Sequence, residues 1–157
     1  MRVKARDFKS TDPLTALKPR PDFALSSGIM QMTPKRPTVL VLSGDQSLQM
    51  LVSSVCESPW AMEVGSDPND ALGSALSRNI RVVVLDDEGV PAAERAWLCN
   101  RISKLASDAV LIYIAAQHSE EVEKIARAHG AVYYTAKPLD SDRLSTMLQS
   151  WLKRSSN

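Results

Sequence analysis

Three consecutive acids, Asp86-Asp87-Glu88, end the most apolar stretch of the chain, Val82-Val83-Val84-Leu85. A further acid, Asp45, follows a similar run, Thr38-Val39-Leu40-Val41-Leu42, after Ser43-Gly44. Lys137-Pro138 follows a third run, Ala131-Val132-Tyr133-Tyr134-Thr135-Ala136. If these runs are parallel strands, their carboxyl ends share one rim, and a carboxylate cluster there faces a lysine. The chemistry-free reading is an acid–lysine pair that only holds loops together, since ion pairs at such rims are common and individually weak. Other chemistries find no support in residue type or spacing. His118 and His129 fall on one predicted helix, about three turns apart, too far to chelate one ion, and read as surface histidines. Gly65, Gly73, Gly89 and Gly130 are isolated, so no loop cradles phosphate. No serine occupies a nucleophile elbow. No catalytic set is expected, and the chain does not read as an enzyme.

The elements that must position these residues follow from hydrophobic periodicity. Thr38–Leu42 is a short continuous apolar run of the kind buried on both faces of a sheet. Leu48, Leu51, Val52 and Val55 then recur at helical spacing. Ala61–Val64 reads as a shorter strand. Asp67 as N-cap and Pro68 at the first helical position open a second helix, with Ala71, Leu72, Ala75 and Leu76 on its apolar face. After the strand ending at Asp86, a helix from about Pro91 carries Ala96, Trp97, Leu98, Ile102 and Leu105 as its buried stripe. Ala109–Ile114 is the fourth strand. Ser119-Glu120-Glu121 begins a fourth helix with acids in its first turn, where the helix dipole favours them; Val122, Ile125 and Ala126 face inward, and Gly130 stops it. Ala131–Thr135 is the fifth strand. Asp140 or Asp142 leads into a fifth helix with Leu144, Met147, Leu148, Trp151 and Leu152. Five strands alternating with five helices predict an α/β fold with a parallel sheet and helices on both faces. In such sheets function gathers at the carboxyl ends of the strands.

The 157 residues suit one domain and a tail. With 44% hydrophobic and 24% charged residues, the composition is that of an ordinary globular protein. The net charge of +1 gives no global field for nucleic acid or membrane. Residues 1–36 differ from the rest. They are rich in proline and carry eight of the 19 basic residues against Asp7, Asp12 and Asp22. They show neither strand nor helix periodicity, which predicts a disordered tail or a loosely docked arm. A solvated linker is the simplest reading of it; a basic tether is the other. The domain proper is expected over 37–155. Cys56 and Cys99 are distant in sequence and read as buried helix residues in a reducing compartment. No apolar run nears the roughly 18 residues that span a bilayer. The N-terminus lacks an apolar h-region. A cytoplasmic protein without membrane insertion is the expectation.

From Pro37 to Lys153 the chain resembles the receiver domain of two-component response regulators, the chemotaxis type included. Three stretches carry the resemblance. They are Ala71-Leu72 with Asp86 fifteen residues after Ala71, Pro91 with Leu98 and Ile102, and Gly130 through Pro138 with an aromatic three residues before Lys137-Pro138. The resemblance implies a flavodoxin-like sheet of order 2-1-3-4-5. It also implies an aspartate at the end of the third strand that accepts a phosphoryl group from a histidine kinase. Counted from the second helix, that position is Asp86; counted back four from Pro91, it is Asp87. The strand run ends at Asp86, which favours it. Lys137 matches the phosphate-contacting lysine and Tyr134 the aromatic switch position.

The departures from the family pattern are as informative. Where receivers carry an acidic pair that gathers Mg²⁺, this chain has Ser43 and Gly44, with Asp45 one residue late. Where they carry a hydroxyl at the end of the fourth strand, it has Ala115. Asp45 and Asp86 are thus the first candidate metal ligands for a weakened Mg²⁺ site. Phosphoryl transfer depends on positioning and charge stabilisation. A phosphoaspartate adds about −1.5 to −2 charges, here beside Asp87 and Glu88, and Mg²⁺ ordinarily offsets them. Glycine offers no ligand to a hard dication and serine a poor one. Loss of one preorganised donor typically costs about 10²–10³ in rate. With no hydroxyl at Ala115 to draw it, the Tyr134 ring is expected to rest inward. A pseudo-receiver is therefore expected, acting on a signalling protein partner through the fourth helix, fifth strand and fifth helix, a face that would also serve a homodimer. The alternative is an atypical phosphoacceptor using Asp86 with Asp45, Asp87 or Glu88 around Mg²⁺. A third reading, a nucleic-acid or small-molecule binder using the basic tail, has the least support. The sequence stops just past the fifth helix, so output is expected through docking onto another protein, or the sequence is a fragment.

Overall fold

The computed structural model describes residues 36–67, 73 and 79–155. In chain order the described elements are β1 (Pro37–Leu42), α1 (Gln46–Val55), β2 (Ala61–Gly65), β3 (Asn79–Asp86), α2 (Ala92–Leu105), β4 (Val110–Ala115), α3 (Glu120–Ala128), β5 (Ala131–Ala136) and α4 (Ser141–Ser155). The five strands form one sheet in the order β2-β1-β3-β4-β5, and every neighbouring pair is parallel. That is the predicted 2-1-3-4-5 order. The helix predicted from Asp67-Pro68 lies outside the described residues except for Gly73, which is helical; the described residues hold four helices. The tail, apart from Arg36, also lies outside them. Arg36 donates to the carbonyls of Pro59 and Trp60 at 3.1 and 2.9 Å. Among the described residues, no helix is long and apolar enough to cross a membrane.

Side chains alternate across the sheet because the strand period is two. Val39 and Val41 of β1, Val82 and Val84 of β3, and Ile112 and Ile114 of β4 point to one face. There they pack on Leu48, Val52 and Val55 of α1 and Leu144, Leu148 and Leu152 of α4. Leu40, Leu42, Val83, Leu85, Leu111 and Tyr113 point to the other, against Leu98, Cys99 and Ile102 of α2 and Ala126 of α3. The three central strands are buried on both sides, which is why they read as unbroken apolar runs. Each fully buried aliphatic side chain contributes about 1.5–3 kcal/mol. Truncating Leu148, fully buried between α4 and the sheet, to alanine would remove about 2–5 kcal/mol.

The helices start and stop where local chemistry directs. The Asp45 carboxylate accepts from the amides of Ser47 and Leu48 and so caps α1. Ser119 caps α3 through the Val122 amide. Gly130, at φ +92°, takes the left-handed turn that follows α3. Three sequence expectations need correction. Trp97 is exposed on α2 and stacks under Arg101, so the buried stripe is Leu98, Cys99 and Ile102. Position 97 precedes that stripe by one residue, about 100° around the helix. His118 and His129 flank α3 and do not lie within it: His129 is its C-cap and His118 precedes its N-cap. Cys56 is half-buried at the C-cap of α1, while Cys99 is buried as expected.

Candidate functional site

The parallel register brings the strand ends to one level. Leu42 of β1 lies beside Leu85 of β3, Asp86 beside Ile114 of β4, and Ala115 beside Ala136 of β5. The residues just beyond therefore converge: Ser43 and Asp45 after β1, Asp87 and Glu88 after β3, Ala116 after β4 and Lys137 after β5. Lys137 is anchored by its own backbone, whose amide donates to the Ala115 carbonyl at 2.9 Å.

The Lys137 ammonium sits among three carboxylates. It donates to Asp86 Oδ2 at 2.9 Å, to Asp45 Oδ2 at 3.1 Å and to Glu88 Oε1. Asp86 is 3% exposed, and both of its oxygens are in use. Oδ2 also accepts from Ser43 Oγ at 2.7 Å, and Oδ1 accepts the Glu88 amide at 3.0 Å. Ser43 Oγ in turn accepts the Asp45 amide at 2.9 Å, and its carbonyl takes Gln49 Nε2 at 2.7 Å. Asp45 divides its carboxylate between the α1 amides and Lys137. Burial pulls the Lys137 pKa down, but the bonds to Glu88, Asp86 and Asp45 outweigh it and the net shift is upward. The bond from Lys137 holds the Asp45 carboxyl below its usual range, against a smaller desolvation effect, with the helix amides assisting.

Asp86 and Asp87, rival candidates in the sequence, go to opposite faces of the sheet. Asp86 continues the side of Val82 and Val84. Asp87 continues the side of Val83 and Leu85 and is 1% exposed. Its Oδ2 accepts from Tyr113 Oη at 2.7 Å, its Oδ1 accepts the Ala116 amide at 2.7 Å, and Arg95 Nε lies 3.4 Å from Oδ2. Burial, then the bond to Asp87 and its charge, drives the Tyr113 pKa far upward. The Cys99 thiol is pushed up to about 11, by burial first and the Asp87 charge second.

Ala115, fully buried, has no hydroxyl to offer the rim. Tyr134 is half-buried. Its ring stacks on Tyr113, centroids 5.9 Å apart and planes 20° apart. Its hydroxyl lies 3.2 Å from His118 Nδ1 and accepts the Ser119 amide at 3.4 Å.

The receiver resemblance implies Mg²⁺, and the donor set bears on whether it fits. Mg²⁺ requires oxygens at about 2.0–2.1 Å in near-octahedral array. Here the oxygens of Asp45, Asp86 and Glu88 converge on an ammonium at hydrogen-bond distances, and Ser43 spends its hydroxyl on Asp86. Among the described residues, no group of three His, Cys, Asp or Glu is arranged to hold a metal ion. The set does not fit Mg²⁺ while Lys137 occupies its centre.

The structure thus joins Asp86, Lys137 and Asp45, and separates Asp87 from them. Two participants went unassigned in the sequence, Arg95 and Tyr113; Glu88 was weighed there as a Mg²⁺ ligand beside Asp86 and instead meets Lys137. Arg95 carries no signal. Tyr113 does: a tyrosine inside a Val/Leu/Ile strand needs a partner for its hydroxyl.

No protein-family model and no curated protein sequence matches the chain. Solved structures do match its shape. A response regulator from Thermotoga maritima shares 20% identity at a TM-score of 0.64, over 74% of this chain and 98% of that one. An orphan response regulator of H. pylori shares 21% at 0.63, over 76% and 99%. A response-regulator receiver domain protein from Methanospirillum hungatei shares 17% at 0.58, over 77% and 99%. The chain therefore has the fold of response-regulator receiver domains.

Proposed function

We propose that this protein is a pseudo-receiver, an interaction module in signal transduction that works by docking to a signalling partner and not by phosphorylation. One observation carries the reading: Asp86 is 3% exposed, both its oxygens accept hydrogen bonds, and Lys137 stands among the carboxylates where a metal ion would have to be. An incoming phosphoryl donor meets an Asp86 carboxylate already hydrogen-bonded at both oxygens, a donor set that does not fit a dication and, at Ala115, no hydroxyl. Ser43 and Lys137 would have to release Oδ2 before it could attack. Such a protein has a fixed surface to present, and α3, β5 and α4 are the elements through which it would meet a partner or a second copy.

The 2.9 Å contact between Asp86 and Lys137 favours one second reading, an atypical phosphoacceptor, because it keeps the acceptor and a phosphate-contacting cation together. Incubation with acetyl phosphate and Mg²⁺, followed by intact mass, separates the two. An unchanged mass is expected. A stable gain of one phosphoryl group that disappears in Asp86→Asn would overturn the pseudo-receiver reading.

A further inference from the structure

We propose that Asp87 is a built-in anionic clasp, which ties the loop after β3 to the turn after β4 and thereby holds the start of α3 in one conformation. The proposal deepens the interaction-module reading and rests on it for its consequence, a docking face that does not switch.

Asp87 takes no part in the Lys137 cluster, since it points to the other face of the sheet. It is nonetheless almost wholly buried, and a carboxylate is kept there only with partners. Its partners come from three places. The Ala116 amide belongs to the turn after β4, the Tyr113 hydroxyl to β4 itself, and the Arg95 guanidinium to α2. The Asp87 amide adds a bond to the Ile114 carbonyl at 2.9 Å, and its carbonyl accepts from the Val90 amide at 2.9 Å. Arg95 Nε also donates to the Val90 carbonyl at 3.2 Å. The loop after β3 is thus fastened along its length, and the turn after β4 is fastened to it.

The fastening continues toward the surface. Tyr113, fixed by Asp87, is the platform on which the Tyr134 ring stacks. Tyr134 Oη accepts from the amide of Ser119, the N-cap of α3, and meets His118 just before it. Asp87 therefore reaches the first turn of α3 by two routes: through the turn that starts at Ala116, and through Tyr113 and Tyr134. Every link is a packed or hydrogen-bonded contact, the kind of network able to carry coupling. The claim is that removing the anion loosens α3 at a distance.

Amide hydrogen exchange on the full-length protein tests this at Val122 and Glu123. These amides bond to Ser119 and do not touch Asp87. Tyr113→Phe removes one hydroxyl and should speed their exchange roughly threefold to tenfold. Asp87→Asn should do so at least about tenfold, with α1 and α4 changed far less. Ile102→Val, a mild core truncation on the same face, serves as the control for general destabilisation. Selective loosening of α3 in either variant supports the clasp, and Tyr113→Phe suffices if Asp87→Asn does not fold. Unchanged exchange at Val122 and Glu123, or acceleration spread evenly as in the control, overturns it. Phosphorylation plays no part in this readout, so a mass gain with acetyl phosphate would sink the functional reading and leave the clasp standing.

Discussion

Replacing Lys137 with methionine tests the rim most directly, because it keeps the apolar stem and removes only the charge. In the intact protein the ammonium is the common partner of three carboxylates of unequal burial. Glu88 is 64% exposed, and its bridge contributes about 0–1 kcal/mol. Asp45, a third exposed, contributes in the same low range. Asp86 dominates: its side chain is 2% exposed, and leaving a buried charge without its partner costs about 3–5 kcal/mol. Ser43 and the Glu88 amide still solvate Asp86, so the lower end applies and a loss of about 3 kcal/mol is expected. For a domain spanning residues 36–157 each kcal/mol moves Tm by roughly 3–5 °C, giving a fall of roughly 10–15 °C. The pH profile carries the sign. The lowered Asp45 pKa stabilises the native state above the unfolded value of about 3.9, and that stability is lost as pH falls through the folded value. The raised Lys137 pKa stabilises below its unfolded value of about 10.4, and that stability is lost only as pH rises through the folded value. Between these limits Asp45 and Lys137 add no slope. In Lys137→Met the bond that lowers the Asp45 pKa is gone, so the stability that Asp45 contributes above its unfolded value, and its loss on acidification, should shrink. Chemical denaturation across pH measures this. A variant within about 0.5 kcal/mol of wild type, with an unchanged profile, would refute the reasoning, as would failure of Asp86→Asn to recover stability when added to Lys137→Met.

Two further outcomes follow from the same geometry. Asp45→Ala removes the α1 cap and one Lys137 partner; it should cost about 1–2 kcal/mol and flatten the loss of stability on acidification, as read by urea titration at neutral and acid pH. Gly44→Asp adds an acid where a side chain meets nothing within 4 Å; combined with Lys137→Met, which vacates the centre, it should let Mg²⁺ raise the Tm of the double variant while leaving that of the wild type unchanged in a thermal scan.

The sheet was legible because nothing competes with its signal. β1, β3 and β4 are unbroken apolar runs, consecutive strands of the five are separated by lengths that fit one crossover each, and parallel order follows from that alternation. The rim was legible in part. Asp86 and Lys137 stand at strand ends and must meet if the strands are parallel. The two spacing counts for Asp86 and Asp87 differed by one residue, which in a strand is the difference between faces, and the end of the apolar run favoured Asp86. Asp45 was weighed as a metal ligand, although an aspartate before a helical pattern is first an N-cap. Trp97 misled because α2 has few apolar residues, and a tryptophan among them is easily assigned to the core. Arg95 could not be assigned at all, and Glu88 was weighed as a Mg²⁺ ligand without its bond to Lys137: such roles depend on where flexible side chains reach, which no periodicity encodes.

The lysine among the rim carboxylates is a cation delivered by the backbone. A metal ion in that place would come and go with its concentration, could be stripped by a chelator, and would tie the molecule to the ionic state of its surroundings. An ammonium on a covalent stem has no dissociation constant to be exceeded and no competitor to displace it at ordinary pH. Under the pseudo-receiver function proposed above, such a protein would be governed by its abundance and by the surfaces it meets.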